Sequence, residues 1–234
     1  MILFPNADKK KNERWDTGRS LINFPCPSRI LICSSPGCGK TTLILNIIIN
    51  AKPIYKQIYL MHPALRHDGS EVEDDDPEEF DDEVREYSAV DFQPLYDIPN
   101  PTFFNDDEQV KKLLVVDDCE MRTLNKEQKK RMNKLVSYAS SHCNMTIIIA
   151  SQCVFSQLPV STVRFCNVFV IYPYADLNYN RMLFNRIGVS SKELPKIEQT
   201  MKNFSMHDSL CIDRTEHSPA KYRKNIFEPI PDLL

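Results

Sequence analysis

Residues 34–41 read SSPGCGKT and are followed by Thr42. The chain has only five glycines, yet Gly37 and Gly39 flank Cys38 directly ahead of Lys40. Glycine lets a backbone take positive φ and approach a ligand closely, so this clustering reads as a loop folded around a phosphate. The matching pattern is G-x-x-x-x-G-K-[ST]. In it the main chain of Ser35, Pro36, Gly37, Cys38 and Gly39 would wrap a nucleotide's phosphates. Lys40 would reach the β and γ phosphates, and the hydroxyl of Thr41, with Thr42 beside it, would bind Mg²⁺. Ser34 stands where the pattern has its first glycine, a departure that a small residue accommodates if its backbone dihedrals stay ordinary.

A polyphosphate is useful only if metal and water are positioned as well, so an acidic motif should end an apolar strand elsewhere. The run KKLLVVDDCE supplies it: four apolar residues deliver Asp117 and Asp118 to a strand's carboxyl end. Asp117 would hold Mg²⁺, directly or through water, and Asp118 would polarise the attacking water as general base. The run TIIIASQ is another buried strand, ending in Ser151 and Gln152. A neutral amide there can contact the γ phosphate or the lytic water.

These residues need a scaffold. Arg29 to Cys33 is a short β-prone run before the loop, and Lys40 to Asn50 after it is apolar on nearly every face, which predicts a helix wedged between a sheet and a further layer. Such a helix adds the positive end of its dipole to the loop. Near-continuous apolar runs recur at 58–61, 113–116, 146–150 and 168–171, the pattern of central parallel strands covered by helices on both faces. Between the second and third, Asn125 to Ser141 predicts an amphipathic helix with Met132, Leu135, Val136 and Ala139 on one side and Lys126, Lys129, Lys130 and Lys134 on the other. A further helix is expected over Asp176 to Arg186 and a late strand over Ser209 to Asp213. The alternation predicts a single α/β domain over residues 1–234, with a mainly parallel sheet and its ligand at the strands' carboxyl ends.

The net charge of −3 conceals a partition, for residues 68–86 hold twelve acidic side chains against one arginine, leaving the remainder at +8. An insertion at about 66–88 is therefore expected to be solvated and mobile, or alternatively to mimic DNA on a basic surface. The eight cysteines form no C-x-x-C pair and several sit in apolar runs, which reads as buried thiols in a reducing compartment. The five histidines show no zinc spacing. The start MILFPNADKKK is too short an apolar stretch for a signal peptide, and Asn46 and Asn50 interrupt the longest apolar segment, so a soluble intracellular protein without a membrane span is expected. GTP specificity is not expected, since N-K-x-D is lacking: Asn125-Lys126-Glu127-Gln128 misses its last residue. A small nucleoside or nucleotide kinase would need an arginine-rich lid, whereas the longest insertion is acidic and would repel phosphates.

The order SSPGCGKTT, LLVVDD, IIIASQ and LPVSTVRFCNVFVIYPYADLNYNRMLF resembles the FtsK-HerA superfamily of DNA-pumping ATPases, and within it the genome-packaging ATPases of large DNA viruses, virophages and polinton-like elements. The resemblance covers about residues 20–230, including SLCIDRTEHSPAKYRKNIFEP, which is similar to the family's closing strands. It implies a P-loop NTPase of the ASCE, RecA-like type that hydrolyses ATP with Mg²⁺. It further implies a homo-oligomeric ring, a pentamer or hexamer, that drives double-stranded DNA into a preformed capsid through a capsid or portal-vertex partner, at sites of virus assembly in the host cell. Residue by residue, Lys40 and Thr41 match the nucleotide loop, Asp117 and Asp118 the hydrolytic strand, and Gln152 the sensor.

One match fails. Where many relatives carry an arginine just before the sensor strand that reaches the neighbouring subunit's site, this chain has Ser140, Ser141 and His142. Arg164 and Arg181 are the substitutes to test, although Arg164 could anchor a loop and Arg181 could pair with Asp176. Other readings are a kinase, or a nucleotide-gated DNA-binding or assembly factor with little hydrolysis, which Ser34 and the missing arginine motivate. Contact with DNA would be to phosphates and independent of sequence, through segments bearing Lys126 to Arg131 or Arg214 to Lys224, between which the sequence does not choose.

Overall fold

Apolar runs that alternate with helices along the chain lie side by side in one sheet. The computed structural model describes Phe24 and residues 27–51, 54–62, 88–92, 111–174, 176–215, 218 and 220–233. Its strands are β1 (Arg29–Cys33), β2 (Gln57–Met61), β3 (Ser88–Phe92), β4 (Lys112–Asp117), β5 (Met145–Ser151), β6 (Val168–Ile171), β7 (Leu210–Asp213), β8 (Tyr222–Lys224) and β9 (Glu228–Pro229). They are ordered β3-β2-β4-β5-β1-β6-β7-β8-β9, with β3 through β6 mutually parallel and the last three strands antiparallel. All seven residues of β5 are buried, as are the first five of β4. Each such aliphatic side chain contributes roughly 1.5–3 kcal/mol when fully buried, so the central strands anchor the sheet. The expected α/β fold with a mainly parallel sheet is the one found. The acidic segment at about 66–88 lies outside the described residues except for Ser88, which opens β3.

The sheet is flanked by α1 (Lys40–Ile49), α2 (Lys126–Lys134), α3 (Val154–Gln157), α4 (Val160–Phe165), α5 (Leu177–Arg186) and α6 (Leu194–Met201). Two expectations need correction. Helix α1 is not enclosed on every side: Leu43, Ile44 and Ile47 pack inward, but Leu45 and Ile49 are 52% and 69% exposed, because only one flank of the helix meets the sheet. The helix expected over 125–141 is also not uniform. It is α-helical to Lys134, π-helical over Leu135–Ala139, and ends in a short turn at Ser140–His142. The Ser137 hydroxyl donates to the Asn133 carbonyl at 2.7 Å within this stretch, a local bond that competes with the α-helical ladder. Six cysteines, Cys33, Cys38, Cys119, Cys143, Cys166 and Cys211, are buried free thiols, and Cys153 is half-buried. Burial pushes the thiols of Cys119, Cys166 and Cys211 up to about 12. Among the described residues no helix is long and apolar enough to cross a membrane.

The start of α6 is tied to the closing strands through Glu193. Its carboxylate accepts hydrogen bonds from Lys221 Nζ at 2.5 Å, Tyr222 Oη at 2.6 Å and Ser190 Oγ at 2.7 Å. Lys221 above all, then Tyr222 and Ser190, hold this carboxyl well below the usual range. A depressed carboxylate stabilises the fold fully above its unfolded value, about 4.3 for glutamate, and loses that contribution as pH falls toward the folded value. Glu193→Gln is therefore expected to lower the unfolding midpoint at pH 7 by about 2–4 °C, matching about 1 kcal/mol for a partly solvated pair in a chain of this length. Thermal melts across pH should show the gap between variant and parent closing below roughly pH 4.

Candidate active site

Strand register brings the three sequence motifs to one edge of the sheet. Cys33 at the end of β1 lies across from Ser151 of β5, and Asp117 at the end of β4 lies across from Ala150. The loop after β1, Asp118 and Gln152 therefore leave the sheet side by side. Two backbone bonds fasten these exits: Ser34 N donates to Ser151 O at 3.2 Å and Asp118 N to Ala150 O at 3.0 Å.

Within the loop, positive φ falls on Gly37 at 75° and Gly39 at 100°. A Cβ at Gly37 would meet nothing nearer than Met206 Cε at 3.5 Å, and at Gly39 nothing nearer than His207 Nδ1 at 4.0 Å. Backbone conformation, not space, is thus what demands glycine here. Ser34 is fully buried and is not among the positive-φ residues, which explains why serine can stand in the pattern's first glycine position without strain. Gly39 is also the N-cap of α1 in left-handed conformation, and no side chain caps this helix end or places an acid in its first turn. Its leading N–H groups are left for an anion.

Lys40 is 9% exposed, and its Nζ sits 2.9 and 3.1 Å from the two carboxylate oxygens of Asp118. Gln152 Nε2 donates to Asp118 Oδ2 at 2.6 Å. Asp118 itself takes φ of 50°, a conformation that aspartate tolerates better than most residues and that is often found at functional sites. Its neighbour Asp117 is half-buried with Oδ1 lacking any hydrogen-bond partner among the described residues. Burial first, then the Asp118 charge, raises the Asp117 carboxyl above its ordinary value, with Lys40 opposing. A desolvated, unpaired carboxylate oxygen beside a second carboxylate is a fitting donor set for a hard divalent cation such as Mg²⁺. The Thr41 and Thr42 side chains are exposed in the first turn of α1.

Several supports for this site carry no sequence motif. Gln157 of α3 accepts from Ser151 Oγ at 2.6 Å and from the backbone N–H groups of Gln152 and Cys153, each at 3.2 Å, so one amide oxygen fixes the turn that presents Gln152. The Tyr174 hydroxyl donates to Gln152 O at 3.0 Å, and Tyr179 Oη accepts from Val154 N at 2.9 Å. Only the polar ending of the apolar β5 run hinted at such a turn.

A cleft of about 620 Å³ adjoins the loop, lined by Gly39, Thr42 and Asn46 on one side and by Tyr172, His207 and Asn225 on the other. His207 Nδ1 lies 3.3 Å from Cys38 O. The far wall comes from the closing strands, where Asn225 and Ile226 take φ of 50° and 64° and Asn225 bonds back to Ser209 and Asp208.

The two arginines considered for transfer chemistry differ. Arg181 forms a two-pronged pair with Glu198, at 2.5 and 3.1 Å, in place of the alternative pairing with Asp176. Asp176 instead caps α5, accepting from Asn178 N and Tyr179 N. Arg164 ends α4 exposed, with no carboxylate partner among the described residues. Two arginines that no motif singled out lie close to it. Arg122 follows the acidic pair, its N–H bonded to Gln157 O at 3.1 Å, and Arg186 of α5 places its guanidinium 4.9 Å from the Phe155 ring centre. Burial and then the charge of Arg122, with a smaller push from Arg164, lower the Arg186 guanidinium below its ordinary value.

No protein-family model matches this chain. No curated protein matches it. Among solved structures it is similar to B204, the DNA-packaging ATPase from Sulfolobus turreted icosahedral virus, with a TM-score of 0.57 at 15% identity over 87% of this chain and 98% of that one. It is likewise similar to the genome-packaging NTPase B204 from Sulfolobus turreted icosahedral virus 2 in complex with ATP-gammaS, with a TM-score of 0.53 at 14% identity over 87% and 98% of the two chains. At these identities the likeness carries the fold, and it is the fold that the order of motifs implied.

Proposed function

We propose that this chain binds ATP with Mg²⁺ and hydrolyses it to move double-stranded DNA, packaging a viral genome into a preformed capsid as a homo-oligomeric ring of five or six copies. The observation that carries the reading is the convergence of Lys40, Asp118 and Gln152 beside a glycine loop that opens an uncapped helix. The likeness in fold to virus packaging ATPases supports it.

On this reading the loop amides and Lys40 hold the β and γ phosphates, and the adjoining cleft takes the ribose and base. Its volume of about 620 Å³ lies within the roughly 300–1,000 Å³ usual for small-molecule sites. Asp117 and the Thr41 hydroxyl would hold Mg²⁺, which when bound neutralises charge on the phosphate oxygens. Phosphate competes with Asp118 for the Lys40 ammonium, freeing the Asp118 carboxylate to take the proton of the attacking water. Gln152, bonded to that carboxylate, orients it and the water. Arg164 of an adjacent copy supplies the cation for transfer more readily than Arg181, which would first have to break its pair with Glu198.

Steady-state ATP hydrolysis measured with and without duplex DNA, alongside the mass of the assembled particle, tests the reading. Stimulation by duplexes of unrelated sequence is expected. Assembled rings that hydrolyse ATP at one rate whether or not DNA is present would overturn the motor. Because Gln152 acts through Asp118, Gln152→Ala is expected to lower kcat by roughly 10- to 100-fold, the usual effect of losing an orienting partner. The binding of a fluorescent ATP analogue should change little.

A further inference from the structure

We propose that the outer face of α2 is the surface along which duplex DNA is held, through its phosphates. The assignment rests on the motor reading above and deepens it. Helix α2 is well fixed: Asn125 and Gln128 cap it reciprocally, each side chain accepting from the other's backbone N–H at 2.9 Å, and Met132 is buried beneath it. Lys126, Lys129, Lys130 and Lys134 border one groove of about 740 Å³ together with Glu127, Asn133 and Ser137. Among the described residues none of these lysines has a carboxylate partner. The one acid within the helix, Glu127, is turned to Arg131 at 3.5 Å. Four ammonium groups are thus held on one element against a single acid, Glu127, which pairs with Arg131, leaving a net positive face that a polyanion's phosphates complement.

The competing segment, 214–224, has its cations engaged within the fold. Arg223 is buried against Asp213, Lys221 pairs with Glu193, Lys224 lies 3.1 Å from Asp208, and Arg214 covers the Phe169 ring. A phosphate would have to break these interactions, whereas on α2 it breaks none.

The basic face also continues toward the hydrolytic site. Ser161 Oγ donates to Asn133 Oδ1 at 3.1 Å, joining α4 to α2, and Arg164 lies one turn beyond Ser161. Arg122 precedes α2 on the loop from Asp118 and is bonded to Gln157, which fixes the Gln152 turn. The helix that would bear DNA is therefore linked, through Arg122 and through Asn133, to the elements that carry Asp118 and Gln152.

The test measures binding of duplexes of unrelated sequence by fluorescence anisotropy across a salt series. The parent, Lys126→Gln/Lys130→Gln/Lys134→Gln, and a control, Lys192→Gln/Lys196→Gln/Lys202→Gln, are compared, each with its unfolding midpoint recorded. The control removes equal charge from exposed lysines on and near α6. The α2 variant is expected to bind more weakly for every sequence, and the slope of log K against log salt should fall by about 0.9 for each phosphate no longer neutralised. The control should follow the parent, and both variants should melt with it. If the parent binds DNA and the α2 variant keeps its affinity and slope, or the control weakens as much, the surface is wrong while the motor reading stands. If the parent binds no duplex at all, both fall. Polyglutamate of matched charge binding as tightly as DNA, with the same lysine dependence, would assign the face to an acidic protein instead.

Discussion

Replacing Lys40 with alanine is expected to lower steady-state ATP hydrolysis by on the order of 10²- to 10³-fold, the scale seen when one preorganised donor is withdrawn from developing negative charge. Two losses combine. The phosphates lose their ammonium, and Asp118 loses the counter-charge that sits 2.9 Å from it. Asp118 is then left beside Asp117, whose carboxyl burial already pushes upward. Lys40→Arg should not rescue activity. Lys40 is 9% exposed in a loop fitted around it, and a guanidinium is bulkier than the compact ammonium and spreads its charge over a planar fork, so it does not fit in the same place. A coupled assay at saturating ATP and Mg²⁺, paired with binding of a fluorescent nucleotide, separates the affinity loss from the turnover loss. Turnover within threefold of the parent would show that the loop is not the phosphate site.

The parts of this site that sequence discloses are those whose signal is local. A glycine pair needing positive φ, a lysine at the start of a helix and carboxylates ending a β run are each written within about ten residues, and the register of β1, β4 and β5 then places them together. Continuous apolar runs marked β2, β4, β5 and β6 to within a residue or two, and β4, β5 and β6 need no alternation because they are buried on both faces. Long-range partners are different. Nothing near Gln157 says that its amide will collect the N–H groups of Gln152 and Cys153, and nothing near His207 or Asn225 says that they wall a cleft against a loop some 170 residues earlier in the chain. The same limit applies to Arg181, for which the sequence offered Asp176 as an alternative partner, whereas Glu198 on the neighbouring helix α6 is the one it pairs with. Composition misled at α1, where an apolar sequence was read as enclosure although Leu45 and Ile49 are exposed.

Asp213→Ala is expected to destabilise the fold by about 3–5 kcal/mol, the loss usual when one partner of a buried ion pair is removed. For a chain of this length that is a fall of roughly 6–20 °C in the unfolding midpoint. Asp213 closes β7 and Arg223 lies on β8, with side chains 0% and 1% exposed and an Nη2 to Oδ2 distance of 2.5 Å. The other carboxylate oxygen accepts from Thr215, both N–H and hydroxyl, so the acid is fully engaged. Alanine at 213 would take this carboxylate away from a guanidinium that is itself buried in the core. Replacing both partners, as Asp213→Leu with Arg223→Met, should recover most of the midpoint, because an apolar pair of similar volume needs no desolvation. A fall of less than about 2 °C in the single variant would mean that water reaches the pair. The double variant also asks what the pair is for. Strands β7 and β8 are flanked by Ser209 and Asn225, which bond to each other and wall the cleft beside the glycine loop. If the double variant melts like the parent yet binds nucleotide more weakly, the ion pair sets the pitch of the hairpin against the loop and does not simply stabilise it. If affinity returns with stability, apolar packing alone is enough to seat that wall.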